Sequence, residues 1–203
     1  RVQSLASDRA EPSAVRFLSC NVKMSNRQHG RLAATIAAQE PEVVILLEVD
    51  KAWIDGLAEA RESYPFRIEH PLENSYGMVL WSKLELADAD LRFLLLPEVP
   101  AIRTAVVLDD GRRFRLHVLH PEPPVPFADT LGRDGELVLT AKDVTADSLP
   151  SIVAGDLNDV AWSHTTRRFQ RLSGLLDPRV GRGFYNSFDA RYPFLRWPLD
   201  HLF

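Results

Sequence analysis

Residues 101–119 read Ala101-Ile102-Arg103-Thr104-Ala105-Val106-Val107-Leu108-Asp109-Asp110-Gly111-Arg112-Arg113-Phe114-Arg115-Leu116-His117-Val118-Leu119. Two strand-like runs, 101–108 and 112–119, flank Asp109-Asp110-Gly111, and an Asp-Gly pair between such runs is the strongest short-range signal of a β-hairpin. This hairpin decides the fold class. It places antiparallel strands in the middle of a chain whose other strands alternate with helices, which argues against a purely parallel doubly wound sheet and for mixed sheets with helices outside.

Working outward, residues 15–20 mix β-branched, aromatic and alternating side chains, the pattern of a strand that delivers Asn21 at its C-terminal end. Ser25 or Asn26 then caps a helix carrying Leu32 and Ile36, which ends before Pro41. Residues 42–49 (EVVILLEV) are apolar without alternation, as in a strand buried on both faces, and deliver Glu48. A short helix over 51–61 carries Trp53 and Leu57 four apart, and Ser63-Tyr64-Pro65 breaks it. Residues 76–82 form the next strand. Beyond the hairpin, which ends at His120, residues 121–130 are a proline-rich loop and 136–146 a helix whose start is blurred by Gly132 and Gly135. Residues 151–155 are a short buried strand running into Asp156-Leu157-Asn158, Ser163 caps a helix through Leu172, and 197–203 is a last strand. Residues 1–14, polar and containing Pro12, read as a linker or tail, and 15–203 as one domain.

The chain has 203 residues, 45% of them hydrophobic and 26% charged, with a net charge of −4. That composition excludes a disordered chain and a broadly basic nucleic-acid-coating protein, so any phosphate binding is local. The longest aliphatic stretch, Val43–Leu47, falls far short of the roughly 20 residues a membrane-spanning helix needs. Cys20, the one cysteine, cannot form an internal disulfide and excludes a cysteine-rich zinc site, leaving the redox compartment open. Because the sequence starts at Arg1 and stops at Phe203 inside an apolar run, an excised domain is expected. The motifs G-x-S-x-G, G-x-x-x-x-G-K-[ST] and H-E-x-x-H are missing, which counts against an esterase elbow, a P-loop and a zincin.

What recurs is an apolar run ending in a residue that can hold a metal or a proton: Asn21, Glu48, His120, Asp156 with Asn158, and Asp200 with His201. A carboxylate at the end of a buried strand is costly unless compensated, and a divalent cation is the usual compensation where several converge. Each residue taken alone has a plainer reading. Asn21 can be a turn former, Glu48 an exposed strand-end acid, His120 a structural histidine, Asp156 and Asn158 an Asx turn, and Asp200 half of a salt bridge. Gly155 permits close backbone approach just before Asp156. The two arginine groups, Arg112-Arg113-Arg115 and Arg167-Arg168-Arg171, read as solvated faces, while Arg103 either reaches a substrate phosphate or pairs with a nearby acid.

With Glu48, Gly155-Asp156-Leu157-Asn158 followed by Trp162-Ser163, the His120 strand end and Leu199-Asp200-His201 in this order, residues 15–203 resemble the endonuclease/exonuclease/phosphatase superfamily. The resemblance implies an α/β (α+β) fold of two mixed β-sheets packed face to face with helices on the outside, a four-layer sandwich. It implies a divalent-metal-dependent phosphoesterase using one or two Mg²⁺ (or Mn²⁺) ions, with Glu48 as main ligand and Asn21 assisting at metal or phosphate. Asp156 would then orient or deprotonate the attacking water, Asn158 hold the nucleophile or a phosphoryl oxygen, and His120 bind or protonate phosphate oxygens. Members close with a Ser-Asp-His triplet whose histidine is held by an aspartate on the preceding strand. Leu199-Asp200-His201 fits that preceding strand better, making Asp200 the orienting aspartate and placing its histidine beyond residue 203, so that the last strands and part of the catalytic set would be missing and the chain as it stands inactive. His120-Pro121-x-Pro123-Pro124 resembles a bacterial branch in which such a domain follows membrane-spanning helices and faces away from the cytoplasm; a cytoplasmic location is the alternative. The expected protein is monomeric and acts on a phosphoester, with nucleic acid, phospholipid and small molecule all open and diesters favoured over monoesters. A binding domain without turnover is the competing class. A metal-free hydrolase built on a serine, His120 and an aspartate has no nucleophile motif behind it.

Overall fold

The computed structural model describes residues 14–124, 130–183, 185–188 and 197–203; residues 1–13 of the expected linker and 125–129 of the proline-rich loop lie outside these. Phe17–Asn21 forms β1, His29–Gln39 α1 and Val43–Leu47 β2. Two short helices follow, α2 (Lys51–Gly56) and α3 (Ala58–Glu62), then β3 (Phe66–His70), β4 (Met78–Ser82) and β5 (Glu85–Phe93). The hairpin is β6 (Pro100–Val107) with β7 (Arg113–Leu119), and α4 (Leu131–Ala146), β8 (Ser151–Asp156), α5 (His164–Ser173) and β9 (Asp200–Leu202) complete the described chain.

The strands make a four-stranded sheet, β1-β2-β4-β3, and a five-stranded sheet, β5-β6-β7-β8-β9. Both are mixed: β1 and β2 run parallel and so do β7 and β8, while every other pair is antiparallel. The unalternating β2 shows why the two sheets stack. Val43, Ile45 and Leu47 point into an inter-sheet core with Met78, Leu80, Ile102, Val106, Leu116, Val118 and Ala154. Val44 and Leu46 point the other way, into a second core with Ile36, Trp53, Leu57, Tyr64, Val79 and Trp81. A third core joins Ala101, Leu119 and Val153 to Leu137, Ala141, Val144, Phe169 and Phe203. Apolar side chains on both faces of both sheets thus produce four layers, helices, sheet, sheet and helices, as expected for strands without a polar face.

Several elements differ from the expectation. β3 and β5 were not foreseen: each is the edge of its sheet, half exposed and charged, with no buried run to announce it. α1 starts at His29, because Asn26 spends its side chain in a turn, accepting from Gln28 N at 3.2 Å. The helix over 51–61 breaks at Leu57 into two, and Asp50 caps the first by accepting from Trp53 N at 2.9 Å. α4 begins five residues before the expected 136, at Leu131, and β9 is confined to three residues, with Trp197 reaching Phe188 through an isolated bridge. Arg115 is no solvated residue: it is buried, with its Nε on Asp147 Oδ2 at 2.6 Å.

Ser163 does cap α5, accepting from Thr166 N at 2.9 Å. Ser163→Ala is therefore expected to destabilise the protein by about 1 kcal/mol, read as a shift in the urea midpoint at constant slope. Among the described residues no helix is long and apolar enough to cross a membrane.

Candidate active site

Parallel pairing brings the C-terminal ends of β1 and β2 together in one sheet and those of β7 and β8 together in the other, and β1 comes close to β8 and β9 where the sheets stack. Asn21 ends β1 and its amide crosses between the sheets, with Nδ2 donating to Glu48 Oε1 at 2.8 Å and to Asp156 Oδ2 at 3.1 Å. Asn21 Oδ1 accepts from Lys23 N at 2.9 Å, which fixes the flip of the amide. Glu48 follows β2 in the left-handed region, φ 59°, a strained conformation for a glutamate, and its Oε2 accepts from Met24 N at 3.3 Å.

Asp156 ends β8 and is buried; its Oδ1 accepts from Asn158 N at 2.9 Å, closing an Asx turn. Asn158, also left-handed at φ 50°, donates from Nδ2 to Pro121 O at 2.9 Å, tying this turn to the residue after His120. His120 is buried, its Nδ1 has no hydrogen-bond partner among the described residues, and its ring lies 5.9 Å from that of Tyr76. Burial holds the His120 imidazolium form below its ordinary range, against the opposing pull of Asp156 and Glu48, so the ring is neutral near pH 7. Asp200 stands opposite Asp156 in the β8–β9 register, and its buried Oδ1 is likewise without a partner among the described residues. Burial first, and the Asp156 charge second, push the Asp200 carboxyl up to about 6.

The structure thus brings together Asn21, Glu48, His120, Asp156, Asn158 and Asp200. It does not bring Arg103 to them. Arg103 Nη2 pairs with Asp147 Oδ2 at 2.7 Å, sharing that carboxylate with Arg115 at the C-terminal end of α4, so the acid-pairing alternative holds for it. His201, next to Asp200 on an extended strand, points to the opposite face and hydrogen bonds Asp159 O. Sequence reasoning passed over Tyr76, whose only mark is its place at the head of a buried strand, and Arg133, which donates from Nη1 to Asn158 O at 3.1 Å and announces itself by nothing in the sequence. Among the described residues no group of three or more His, Cys, Asp or Glu is spaced to hold a metal ion by itself.

A raised carboxyl pKa carries a stability signature. Because the folded value, about 6, lies above the reference value of 3.8, ionised Asp200 costs stability above pH 6, and the cost fades as pH falls through that interval. Asp200→Asn is expected to stabilise the metal-free protein by on the order of 2 kcal/mol at pH 8 and by almost nothing at pH 3.5, measured by urea unfolding in EDTA. An equal effect at both pH values would contradict this electrostatic account.

A family model described as the Endonuclease/Exonuclease/phosphatase family matches residues 18–203. No curated protein matches the chain significantly. Among solved structures, zebrafish (D. rerio) TDP2 complexed with a single-strand DNA product superposes with a TM-score of 0.76 at 18% identity, over 94% of this chain and 83% of that one. Sphingomyelinase C from Streptomyces griseocarneus gives 0.68 at 18% identity, over 93% and 82%. The human Nocturnin catalytic domain with bound sulfate gives 0.68 at 18%, over 93% and 81%. At such identities the likeness is one of fold.

Proposed function

Because the chain belongs to the endonuclease/exonuclease/phosphatase family, we propose that it hydrolyses phosphodiester bonds with the help of a divalent cation, by in-line attack of an activated water. The observation that carries this reading is the Asn21 amide bridging Glu48 and Asp156 from opposite sheets, with Asn158, His120 and Asp200 around it. The donor set suits a hard cation. All the anionic groups are oxygen donors, and Mg²⁺ typically takes one or two carboxylates and keeps its remaining water, so Glu48 assisted by Asn21 suffices where a cage of three acids is not formed. Mg²⁺ or Mn²⁺ bound there would supply Lewis-acid stabilisation of the charge that develops on the phosphoryl oxygens.

The chain's own residues account for the rest. Asp156, with each oxygen already held by one donor, is oriented to accept a proton from the attacking water. Neutral His120 has an N–H to give to a phosphoryl oxygen, and the Asn158 side chain, fixed through Pro121, presents its amide oxygen to the nucleophile. The Asp200 carboxylate, with its buried Oδ1 unpaired among the described residues, would serve as an orienting acceptor for a histidine or another donor. A diester is favoured over a monoester, and an extracytoplasmic location follows from the resemblance of the His120-Pro121-x-Pro123-Pro124 stretch.

The test is Mn²⁺ titration by calorimetry together with hydrolysis of bis(p-nitrophenyl) phosphate and p-nitrophenyl phosphate in Mg²⁺. Binding of one or two ions with faster diester than monoester turnover is expected. Metal binding without turnover would leave a binding domain of this fold, and turnover insensitive to EDTA would overturn the reading.

A further inference from the structure

The turn that carries Asp156 and Asn158 is held from behind by groups that have no place in the chemistry described above. Asn158 sits in the left-handed region, which asparagine tolerates better than other residues with a side chain, so the backbone of the turn is set locally and its placement depends on what holds it. On the far side of the turn, the carbonyl of Asn158 accepts from Arg133 and that of Asp159 takes His201 Nε2 at 2.8 Å, while Leu157 N donates to Leu199 O at 3.0 Å. His201 is in turn gripped by Arg179, whose Nη2 stands 2.7 Å from His201 Nδ1 and whose Nη1 donates to Asp200 O at 3.1 Å. Asp177 holds Arg179 in a two-pronged ion pair, Nε to Oδ1 and Nη2 to Oδ2, both at 2.9 Å.

The chemistry of these contacts leaves one arrangement of protons. A guanidinium only donates, so His201 Nδ1 is the acceptor and Nε2 carries the hydrogen that goes to the Asp159 carbonyl. The ring cannot rotate out of this arrangement, being buried and stacked on Phe203 with centroids 5.1 Å apart, and Phe203 leans on Phe169 of α5. Burial, with Arg179 acting in the same direction, pushes the imidazole down to about 4, so it stays neutral at working pH. Asp159 anchors the other end of the turn to α5, its Oδ2 accepting from Ser163 Oγ and, at 3.0 Å, from Thr166 Oγ1.

We propose that His201 and Arg179, held by Asp177, are a positioning latch that fixes residues 156–159 and so sets the Asp156 and Asn158 side chains for reaction. The latch gives a purpose to a histidine and an arginine that touch no reacting group, and it makes β9 a support of the site through both of its faces, Asp200 toward the chemistry and His201 behind it. Its catalytic meaning rests on the function proposed above; its mechanical meaning does not, and the test separates them.

Three variants decide it. His201→Phe keeps the stacking on Phe203 and removes both hydrogen bonds. His201→Gln offers an amide whose oxygen and nitrogen replace the two ring nitrogens. Arg179→Lys keeps a positive charge beside Asp177 and loses the fork. In amide hydrogen exchange, Leu157 and Asn158 are expected to exchange about tenfold faster or more in His201→Phe and Arg179→Lys, with Ile45 and Leu46 of β2 unchanged and His201→Gln near wild type. In hydrolysis, kcat is expected to fall about 10- to 100-fold with KM within about twofold, since a displacement of about 1 Å at a reacting group costs that much; His201→Gln restores most of it. Unaltered exchange at residues 157 and 158 overturns the latch, as does a loss of protection spread evenly over both sheets. Should His201→Phe fail to fold, Arg179→Lys compared with His201→Gln decides between the same outcomes. If the wild-type protein turns over no phosphodiester, the functional reading fails while the exchange result still decides the latch.

Discussion

Glu48→Gln lowers phosphodiester hydrolysis by about 10³-fold while costing the metal-free protein only about 1 kcal/mol, the hydrogen bond from Met24 N. The substitution keeps the length of the side chain and the acceptor for the Asn21 amide, which lies 2.8 Å from Oε1, and alters only the oxygen facing Met24 N and the charge. It neither relieves nor worsens the left-handed backbone at position 48, so the strain cancels in the comparison. The thermal readout makes the experiment decisive. A ligand that binds the native state at a hundred times its Kd stabilises by about 2.7 kcal/mol, so Mg²⁺ or Mn²⁺ should raise the wild-type Tm by several degrees and leave that of Glu48→Gln in place. Equal rates, or equal metal-induced shifts, with and without the carboxylate would sink the assignment.

Gly155→Ala should be severely destabilising although it adds a single methyl. Gly155 has φ 139°, and a Cβ there would lie 1.9 Å from Leu119 O and 3.0 Å from Leu119 C, both backbone atoms of the neighbouring strand. No rotamer change relieves that contact; the β7–β8 ladder has to open at the Leu119–Gly155 pair. Two independent costs add, a side chain in a backbone region that favours glycine and a broken strand pairing, and together they are expected to exceed about 4 kcal/mol. The opening occurs one residue before both His120 and Asp156, so residual activity should vanish even under conditions where the variant folds. A urea midpoint close to wild type would show that the strands yield more easily than this geometry allows.

The interior of this fold was legible because its strands are buried on both faces. Val43–Leu47 and Met78–Ser82 can be nothing but central strands, and Asp109-Asp110-Gly111 leaves little choice for the hairpin, with Gly111 at φ 81°. Edges were not legible. β5 reads ELADADLRF, with a register shift between Ala87 and Asp90, and such a charged, irregular strand belongs to a sheet only because β6 is there to pair with it. The start of α4 was hidden for a tertiary reason: Gly132 and Gly135 lower helix propensity, yet a Cβ at Gly135 would stand 2.5 Å from Leu95 Cδ1 and one at Gly132 3.3 Å from Leu96 Cδ1, so the loop before β6 packs where those side chains would be. In the candidate site, the residues at strand ends could be picked out because a carboxylate or amide closing an apolar run needs a reason. Arg103 was left open between a phosphate and an acid since mid-strand arginine carries no sign of its partner, and Asp147 lies 44 residues away.

The Asn21 bridge has a further consequence. Glu48 and Asp156 belong to different sheets, whose relative alignment is held by interdigitated apolar side chains, with no strand pairing between them among the described residues. Turnover would therefore act as a gauge of how the two halves are stacked, sensitive to displacements far smaller than those that unfold the protein. Trimming a remote core residue such as Leu80 or Val106 should detune the enzyme first and melt it later, and compensating changes restoring speed would be sought across the interface between the sheets, far from any reacting atom.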